Sequence, residues 1–164
     1  MLISKELAAA FNAQIGHEYG AGLQYVSIAA HFQQHQLTLL SKLFFKQAEE
    51  ETQHAMKFIQ YMLDTKGDLK IPAIPAPKAT FKSADEAVQA ALNWEQEVTQ
   101  QITALMEIAV KESDYLAQSF LQWFIDEQLE EVVKMDRLLS VIRKSGERNL
   151  LMVEAYLIHI EKAS

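Results

Sequence analysis

The chain has 164 residues, 49% of them hydrophobic, a formal net charge of −7 and no cysteine. This length suits one domain with a sizeable core, and the acidic balance argues against nucleic acid as the main partner. The lack of cysteine excludes disulfides and thiolate metal sites such as zinc ribbons and iron–sulfur clusters.

The first residues, Met-Leu-Ile-Ser-Lys-Glu, do not show the basic and then apolar pattern of a secretory signal. No uninterrupted apolar stretch approaches the ~20 residues that are needed to span a bilayer. We therefore expect a cytoplasmic protein that has no membrane partner.

The first predicted helix runs from about Ser4, a suitable N-cap residue, to Gln34. Its apolar residues recur at helical spacing, but Glu18 stands in the middle of this stripe. An ionised carboxylate is rarely buried without a partner, because removing it from water is costly. A bound cation is the simplest partner for Glu18.

The same helix contains Gly16, Gly20 and Gly22. Each glycine costs up to ~1 kcal/mol relative to alanine inside a helix. We therefore expect a neighbouring helix or subunit to approach the backbone closely at these positions.

The second predicted helix runs from about Thr38 to Lys66, with Gly67 as the residue that ends it. Glu51 and His54 interrupt its apolar stripe. Because they are three residues apart, the carboxylate and the imidazole lie on the same helix face.

All three prolines of the chain lie between Gly67 and Lys82, the one long segment predicted to be non-helical. The third helix starts after Ser83, which forms a capping box with Glu86, and ends near residue 112. Its apolar stripe is centred near Glu95.

The fourth predicted helix is capped by Asp114 and runs to about Lys144, with Glu127, Gln128 and Glu131 in the middle of its stripe. A last short helix covers about residues 147–162. Its apolar residues at helical spacing are Leu150, Val153, Leu157 and Ile160. We expect this side to need a partner subunit, since one short helix cannot bury it on a finished bundle.

Loop lengths predict the topology. The two short connections make helices one and two, and helices three and four, antiparallel hairpins. The connection of about sixteen residues reaches ~50 Å when extended, whereas a helix of about 28 residues is ~42 Å long. The second and third helices can therefore run parallel. The prediction is an all-α single domain, 1–164, in which a four-helix bundle with one long crossover (about 4–144) precedes a short fifth C-terminal helix.

In this topology the interrupting side chains converge at the middle of the bundle. Several carboxylates with one imidazole and no thiolate suit iron, manganese or zinc. The carboxylates offer enough oxygens for two cations, with Glu51 able to bridge them. The converging residues are Glu18, Glu51, His54, Glu95 and Glu131.

These residues alone leave two kinds of function open. One is a di-iron or di-manganese oxidase or peroxidase for a small substrate, which a large apolar pocket beside the metals would favour. The other is a non-catalytic bundle whose buried glutamates serve only assembly.

Over essentially its whole length the chain resembles the prokaryotic non-haem ferritins, whose fold is a ferritin-like four-helix bundle. The matching features are Glu18 with Tyr25 two turns on, Glu-x-x-His at 51–54, Glu95 after the crossover, and Glu127-Gln128-x-Glu130-Glu131 in the fourth helix. The resemblance implies iron storage with ferroxidase activity, which is the oxidation of Fe(II) by dioxygen or hydrogen peroxide. It also implies a homo-oligomer of 24 subunits that stores the ferric mineral in a hollow shell, with the last helix at the four-fold axes.

The resemblance also implies where iron binds. One iron takes Glu18, Glu51 and His54, and a second takes Glu51, Glu95 and Glu131, with Gln128 close by. Tyr25 matches a tyrosine beside the centre, and we expect Trp123 near it too. A third iron site on the cavity side maps onto Glu50, Glu127, Glu130 and Glu131.

No haem is expected. Thr52 stands where bacterioferritins have a haem-binding methionine, directly after the first-motif glutamate. The second Glu-x-x-His of bacterioferritins is also missing, because the fourth helix contains no histidine.

Overall fold

Four long helices and a short one follow one another in the computed structural model, which describes residues 2–163. The helices are α1 (Lys5–Gln34), α2 (Thr38–Asp64), α3 (Ala84–Lys111), α4 (Tyr115–Ser145) and α5 (Leu150–Ala163). A single 3-10 turn, Glu147–Asn149, precedes α5. The predicted all-α fold with a short fifth helix is confirmed, and the helix bounds agree to within a few residues. None of the helices in the described part of the chain is both long and apolar enough to cross a membrane.

Three of the long helices begin at the predicted capping residues. Ser4, Ser83 and Asp114 each accept a hydrogen bond from the backbone amide three residues further on, at 2.9 to 3.0 Å. The carboxylate of Glu86 accepts from the amide of Lys82 rather than from that of Ser83. The reciprocal half of the predicted capping box is therefore shifted by one residue.

The end of α2 differs from the prediction. The left-handed backbone conformation belongs to Lys66, with φ 57°, and not to Gly67. Gly67 serves close packing instead, because a Cβ added there would lie 2.9 Å from Met62 Cε and 3.1 Å from Ile3 Cγ2.

The segment between α2 and α3 lies along α1. Near the start of α1, the Asn12 side chain donates to the carbonyl of Asp68 and accepts from the amide of Lys70. Three turns later, the Gln24 side chain bonds both the carbonyl and the amide of Lys78. The crossover thus runs the length of the bundle and returns the chain to the end where α2 began, so α2 and α3 are parallel, as predicted.

The glycines of α1 allow close contacts. A Cβ on Gly16 would lie 2.5 Å from Pro72 Cγ in the crossover, and one on Gly20 would lie 3.3 Å from Trp94 Cζ2 in α3. A Cβ on Gly22 would lie 3.3 Å from the carbonyl oxygen of residue 48 in α2. The expected close approach is confirmed, and it involves the crossover as well as helices.

We expect Gly16→Ala to destabilise the protein by about 1–3 kcal/mol, although alanine is the better helix former. The added methyl overlaps the Pro72 ring, which has little freedom to move. Gly20→Ala is the matched control, because the edge of Trp94 needs to shift by only a few tenths of an ångström. Thermal unfolding of the two variants measures the difference, and equal melting temperatures would contradict this account.

Helix α5 packs on its own subunit more than predicted. Val153 is fully buried, and Leu150 and Leu157 pack against the same apolar cluster. The carboxylate of Glu154 accepts hydrogen bonds of 2.8 and 3.1 Å from the Leu39 amide at the start of α2. The expectation that this side needs a partner subunit is therefore wrong for Val153, because α2 and α4 already provide a surface for it.

Other apolar side chains of α5 stay exposed. Leu151 is 75% and Met152 67% exposed, while Ile158 and Ile160 are about 40% exposed (42% and 39%). Ile160 belongs to the side that the sequence pattern names, whereas Leu151, Met152 and Ile158 lie outside that pattern.

The core consists of two apolar clusters. One contains Phe32 and Phe44, together with residues from the start of α3 and from the end of α4. The other contains Phe11, Phe58 and Phe124. Buried polar side chains from all four long helices lie between the two clusters.

Candidate metal centre

The polar layer brings together all five side chains that the sequence analysis places at the middle of the bundle. Every long helix contributes, and none of the five residues is more than 3% exposed. They are Glu18 from α1, Glu51 and His54 from α2, Glu95 from α3 and Glu131 from α4.

Within residues 2–163, two groups of three side chains place their ligand atoms within 4.8 Å of one another. The first group is Glu18, Glu51 and His54, and the second is Glu51, Glu95 and Glu131. Glu51 belongs to both groups. A carboxylate has two oxygens, so Glu51 can serve two cations at once.

Some oxygens of this centre are buried without a hydrogen-bond donor. Glu18 Oε2 and Glu51 Oε1 are both in this state. His54 Nδ1 lies 3.0 Å from Glu51 Oε2 and 3.7 Å from Glu18 Oε2. An unsatisfied buried acceptor costs about 1–3 kcal/mol, and more when it is charged. A cation fits this donor set because it would satisfy these oxygens.

The carboxylates change the protonation of His54. Burial disfavours the charged imidazolium, but the hydrogen bonds and charges of Glu18 and Glu51 outweigh burial and raise the pKa of His54 to about 10. The ion-free protein therefore holds a proton on His54 at neutral pH. A metal ion must displace that proton, because only neutral imidazole is a ligand.

Burial also raises the pKa of one carboxyl group on α2 and of one on α3. Burial raises the pKa of Glu95 to about 7, although the hydrogen bond from the Tyr25 hydroxyl to Glu95 Oε1 works in the other direction. Burial likewise raises the pKa of Glu51 well above its ordinary value. Tyr25 is itself fully buried, and burial followed by the Glu95 charge raises its pKa well above 10.0.

Amide side chains orient the carboxylates. Gln128 donates to Glu95 Oε2 at 3.1 Å, which places it beside the centre as predicted. Two further amides, which were not among the predicted site residues, make similar contacts. Gln14 donates to Glu18 Oε1 at 2.9 Å, and Gln47 donates to Glu131 Oε2 at 2.6 Å. Their signal was a polar residue on the apolar stripe one turn before Glu18 and one turn before Glu51.

Trp123 lies beside the centre, as expected. Its ring meets that of His54 edge-on at 5.4 Å between centroids. The Lys57 ammonium lies 3.6 Å above the Trp123 ring. Together these side chains cover the His54 side of the centre.

The four carboxylates of the predicted third site are less tightly grouped. Glu127 Oε1 lies 3.9 Å from His54 Nε2, and burial raises the pKa of Glu127. Glu50 is half-buried, and Glu130 is exposed. In the described part of the chain this set is not among the groups whose ligand atoms lie within 4.8 Å, so the third site stays a prediction.

Comparison with known proteins places these features in context. The family model for the ferritin-like domain matches residues 8–145. Ferritin BfrB of Mycolicibacterium smegmatis is 39% identical over 143 residues, which cover 87% of this chain and 78% of that protein. The bacterial non-heme ferritin of Staphylococcus haemolyticus is 36% identical over 146 residues, or 89% of this chain and 88% of that one.

Solved structures agree with the sequence comparisons. The open pore ferritin from the hyperthermophilic archaeon Archaeoglobus fulgidus superimposes with a TM-score of 0.91 at 32% identity. The alignment covers 95% of this chain and 96% of that one. The same fold thus occurs in a protein of related sequence.

Proposed function

The chain belongs to the ferritin family, which supports a role in iron storage, and from this premise we propose that it is a non-haem ferritin with ferroxidase activity. Its substrate is Fe(II), and its product is a ferric mineral that the assembled protein stores. The observation that carries the proposal is the pair of buried three-residue groups that share Glu51.

The first iron binds to Glu18, Glu51 and His54 after the imidazole has lost its proton. The second iron binds to Glu51, Glu95 and Glu131, with Gln128 and Tyr25 holding the Glu95 carboxylate. Two divalent ions offset the four carboxylates. Each Fe(II) gives up one electron, and dioxygen takes both electrons and two protons to leave as hydrogen peroxide. Hydrogen peroxide can serve as the oxidant instead: it takes two electrons and two protons and leaves as two water molecules.

A third iron site would follow on the Glu50 side of the centre, formed by Glu50, Glu127, Glu130 and Glu131. The half-buried Glu50 and the partly buried Glu127 support it, because both have more access to water than the paired site. Such a site can pass iron between the paired centre and the mineral.

We further propose a cytoplasmic shell of 24 subunits. The exposed apolar side chains of α5, above all Leu151 and Met152, support self-association through this helix.

A small-substrate oxidase would need a large apolar pocket that opens onto the central side chains, and two grooves of the described residues do not supply one. A groove of about 260 Å³ is lined by Lys57, Trp123 and Phe124 but by none of the five central side chains. An open groove of about 520 Å³ is lined by residues of α1 and α2, such as Leu23 and Phe45, and by none of the five central side chains.

Iron loading tests the proposal. We expect particles of 24 copies of the 18.6 kDa chain, about 450 kDa by light scattering, that oxidise Fe(II) in air. They should keep far more than two irons per subunit in solution.

A monomer or dimer at physiological salt would contradict the proposed 24-subunit shell. Oxidation that stops at two irons per subunit would favour a small-substrate oxidase. Protein that binds no metal would leave only the assembly role of the buried glutamates.

A further inference from the structure

One lysine lies at the edge of the metal centre. The Lys134 ammonium is 3.4 Å from Glu131 Oε1 and 3.6 Å from Glu50 Oε2, and it also donates to Gln47 Oε1. Glu131 belongs to the second three-residue group, and Glu50 belongs to the proposed third site. The ammonium therefore lies between a ligand of the paired centre and a ligand of the outer site.

This contact is more constrained than an ordinary surface ion pair. The Glu131 side chain is only 4% exposed, and the Lys134 side chain is 42% exposed. The buried Gln47 connects the two, because its amide nitrogen donates to Glu131 Oε2 while its oxygen accepts from Lys134. Ion pairs between fully exposed side chains contribute little to stability. Here the buried amide of Gln47 holds both Glu131 and Lys134 in place.

We propose that the Lys134 ammonium occupies the place of the third cation between Glu50 and Glu131, and that it must move out before an ion binds there. The inference rests on the proposed function, because it concerns the order in which iron fills the sites. A divalent ion that bound these two oxygens would lie within a few ångströms of the ammonium. Like charges at about 4 Å repel strongly, so ion and ammonium cannot share the position.

The structure gives the displaced side chain somewhere to go. Lys134 lines an open groove of about 270 Å³ beside α5, together with Leu43, Leu157 and Ile160. A lysine has a flexible four-carbon stem, so its ammonium can swing while the backbone of α4 stays in place. Lys134 therefore weakens the binding of a cation at the third site without closing that site.

Binding of Zn(II), which has no redox chemistry, tests this role by calorimetry on the assembled protein. The parent should bind two Zn(II) per subunit tightly and a third weakly. In Lys134→Gln the third step should tighten by at least about tenfold, and by more than the first two steps, because the competing charge is gone. Lys134→Arg keeps the charge and should keep the weak third step.

Lys46→Gln is the matched control. Lys46 also pairs with Glu50, at 4.0 Å, but the Lys46 side chain is 77% exposed. The Lys46→Gln substitution removes the same charge as Lys134→Gln does. It should leave the third step within about twofold of the parent. The inference is wrong if Lys134→Gln leaves the third step unchanged, if both glutamine variants tighten it equally, or if Lys134→Arg behaves like Lys134→Gln. If the parent fails to bind the first two Zn(II), the proposed function is wrong as well. Failure of the Lys134 inference alone therefore differs from failure of the proposed function.

Discussion

Glu51→Gln should slow Fe(II) oxidation by at least about 100-fold. Residues that only orient metal ligands already cost about 10–100-fold when they are changed, and Glu51 is the one carboxylate that belongs to both three-residue groups. The amide leaves one neutral oxygen where two ions need a shared anion.

His54→Ala should slow Fe(II) oxidation less than Glu51→Gln does, because the second group does not contain His54. Stopped-flow absorbance of Fe(III), with two Fe(II) added per subunit, measures both rates.

Glu97→Gln makes the same chemical change on an exposed position of α3, two residues after Glu95, and should keep the parent rate. Light scattering of each variant separates loss of chemistry from loss of assembly. If Glu51→Gln assembled normally and oxidised two Fe(II) per subunit at the parent rate, the assignment of the paired centre would be refuted.

The ion-free protein should become less stable as the pH rises from 6 to 8.5. The pKa of Glu95 is raised from 4.5 to about 7, so the stability that its proton contributes is complete below about 4.5 and is lost as the pH rises through 7. The pKa of His54 is raised from 6.5 to about 10, so its contribution is complete below about 6.5 and is lost as the pH rises toward 10. Both shifts act in the same direction across this window, and we expect a loss of a few kcal/mol per subunit.

Thermal unfolding in a chelator at the two pH values measures this loss. One equivalent of Zn(II) per ligand group should remove most of it, because metal binding replaces the protons and stabilises only the folded state. Glu95→Gln is the control: it lacks the titrating carboxyl, so its melting temperature should fall less between pH 6 and 7.5. A parent melting temperature that stayed level or rose over this window would show that Glu95 and His54 do not hold these protons.

The helices and their order were predictable from local sequence. Apolar residues at helical spacing define the four long helices. Three of these helices start at Ser4, Ser83 and Asp114, because a side-chain oxygen there satisfies an amide that the helix leaves free. The length of the proline-containing segment allowed a crossover along the bundle, which the structure contains. These features depend on residues close together in the chain, so a single sequence contains their causes.

The convergence of acidic side chains inside the bundle was predictable because these residues break the apolar pattern of their helices. Glu18, Glu51, Glu95 and Glu131 each stand where a helix stripe should be apolar, and burying a charge is too costly without compensation. Topology then placed all four at the same depth. The family resemblance suggested their grouping, and the structure shows the two groups that share Glu51.

Contacts between residues that are distant in the sequence were decided only by the tertiary structure. Gln47 reaches Glu131 and Lys134 across 84 and 87 positions of sequence, and Glu154 reaches the start of α2 across 115. No helical period encodes such pairs, since each depends on which faces of α2, α4 and α5 meet. The burial of Val153 has the same cause. Its helix is apolar on more than one side, and the shape of the finished bundle, not the pattern of α5, selects the side that packs.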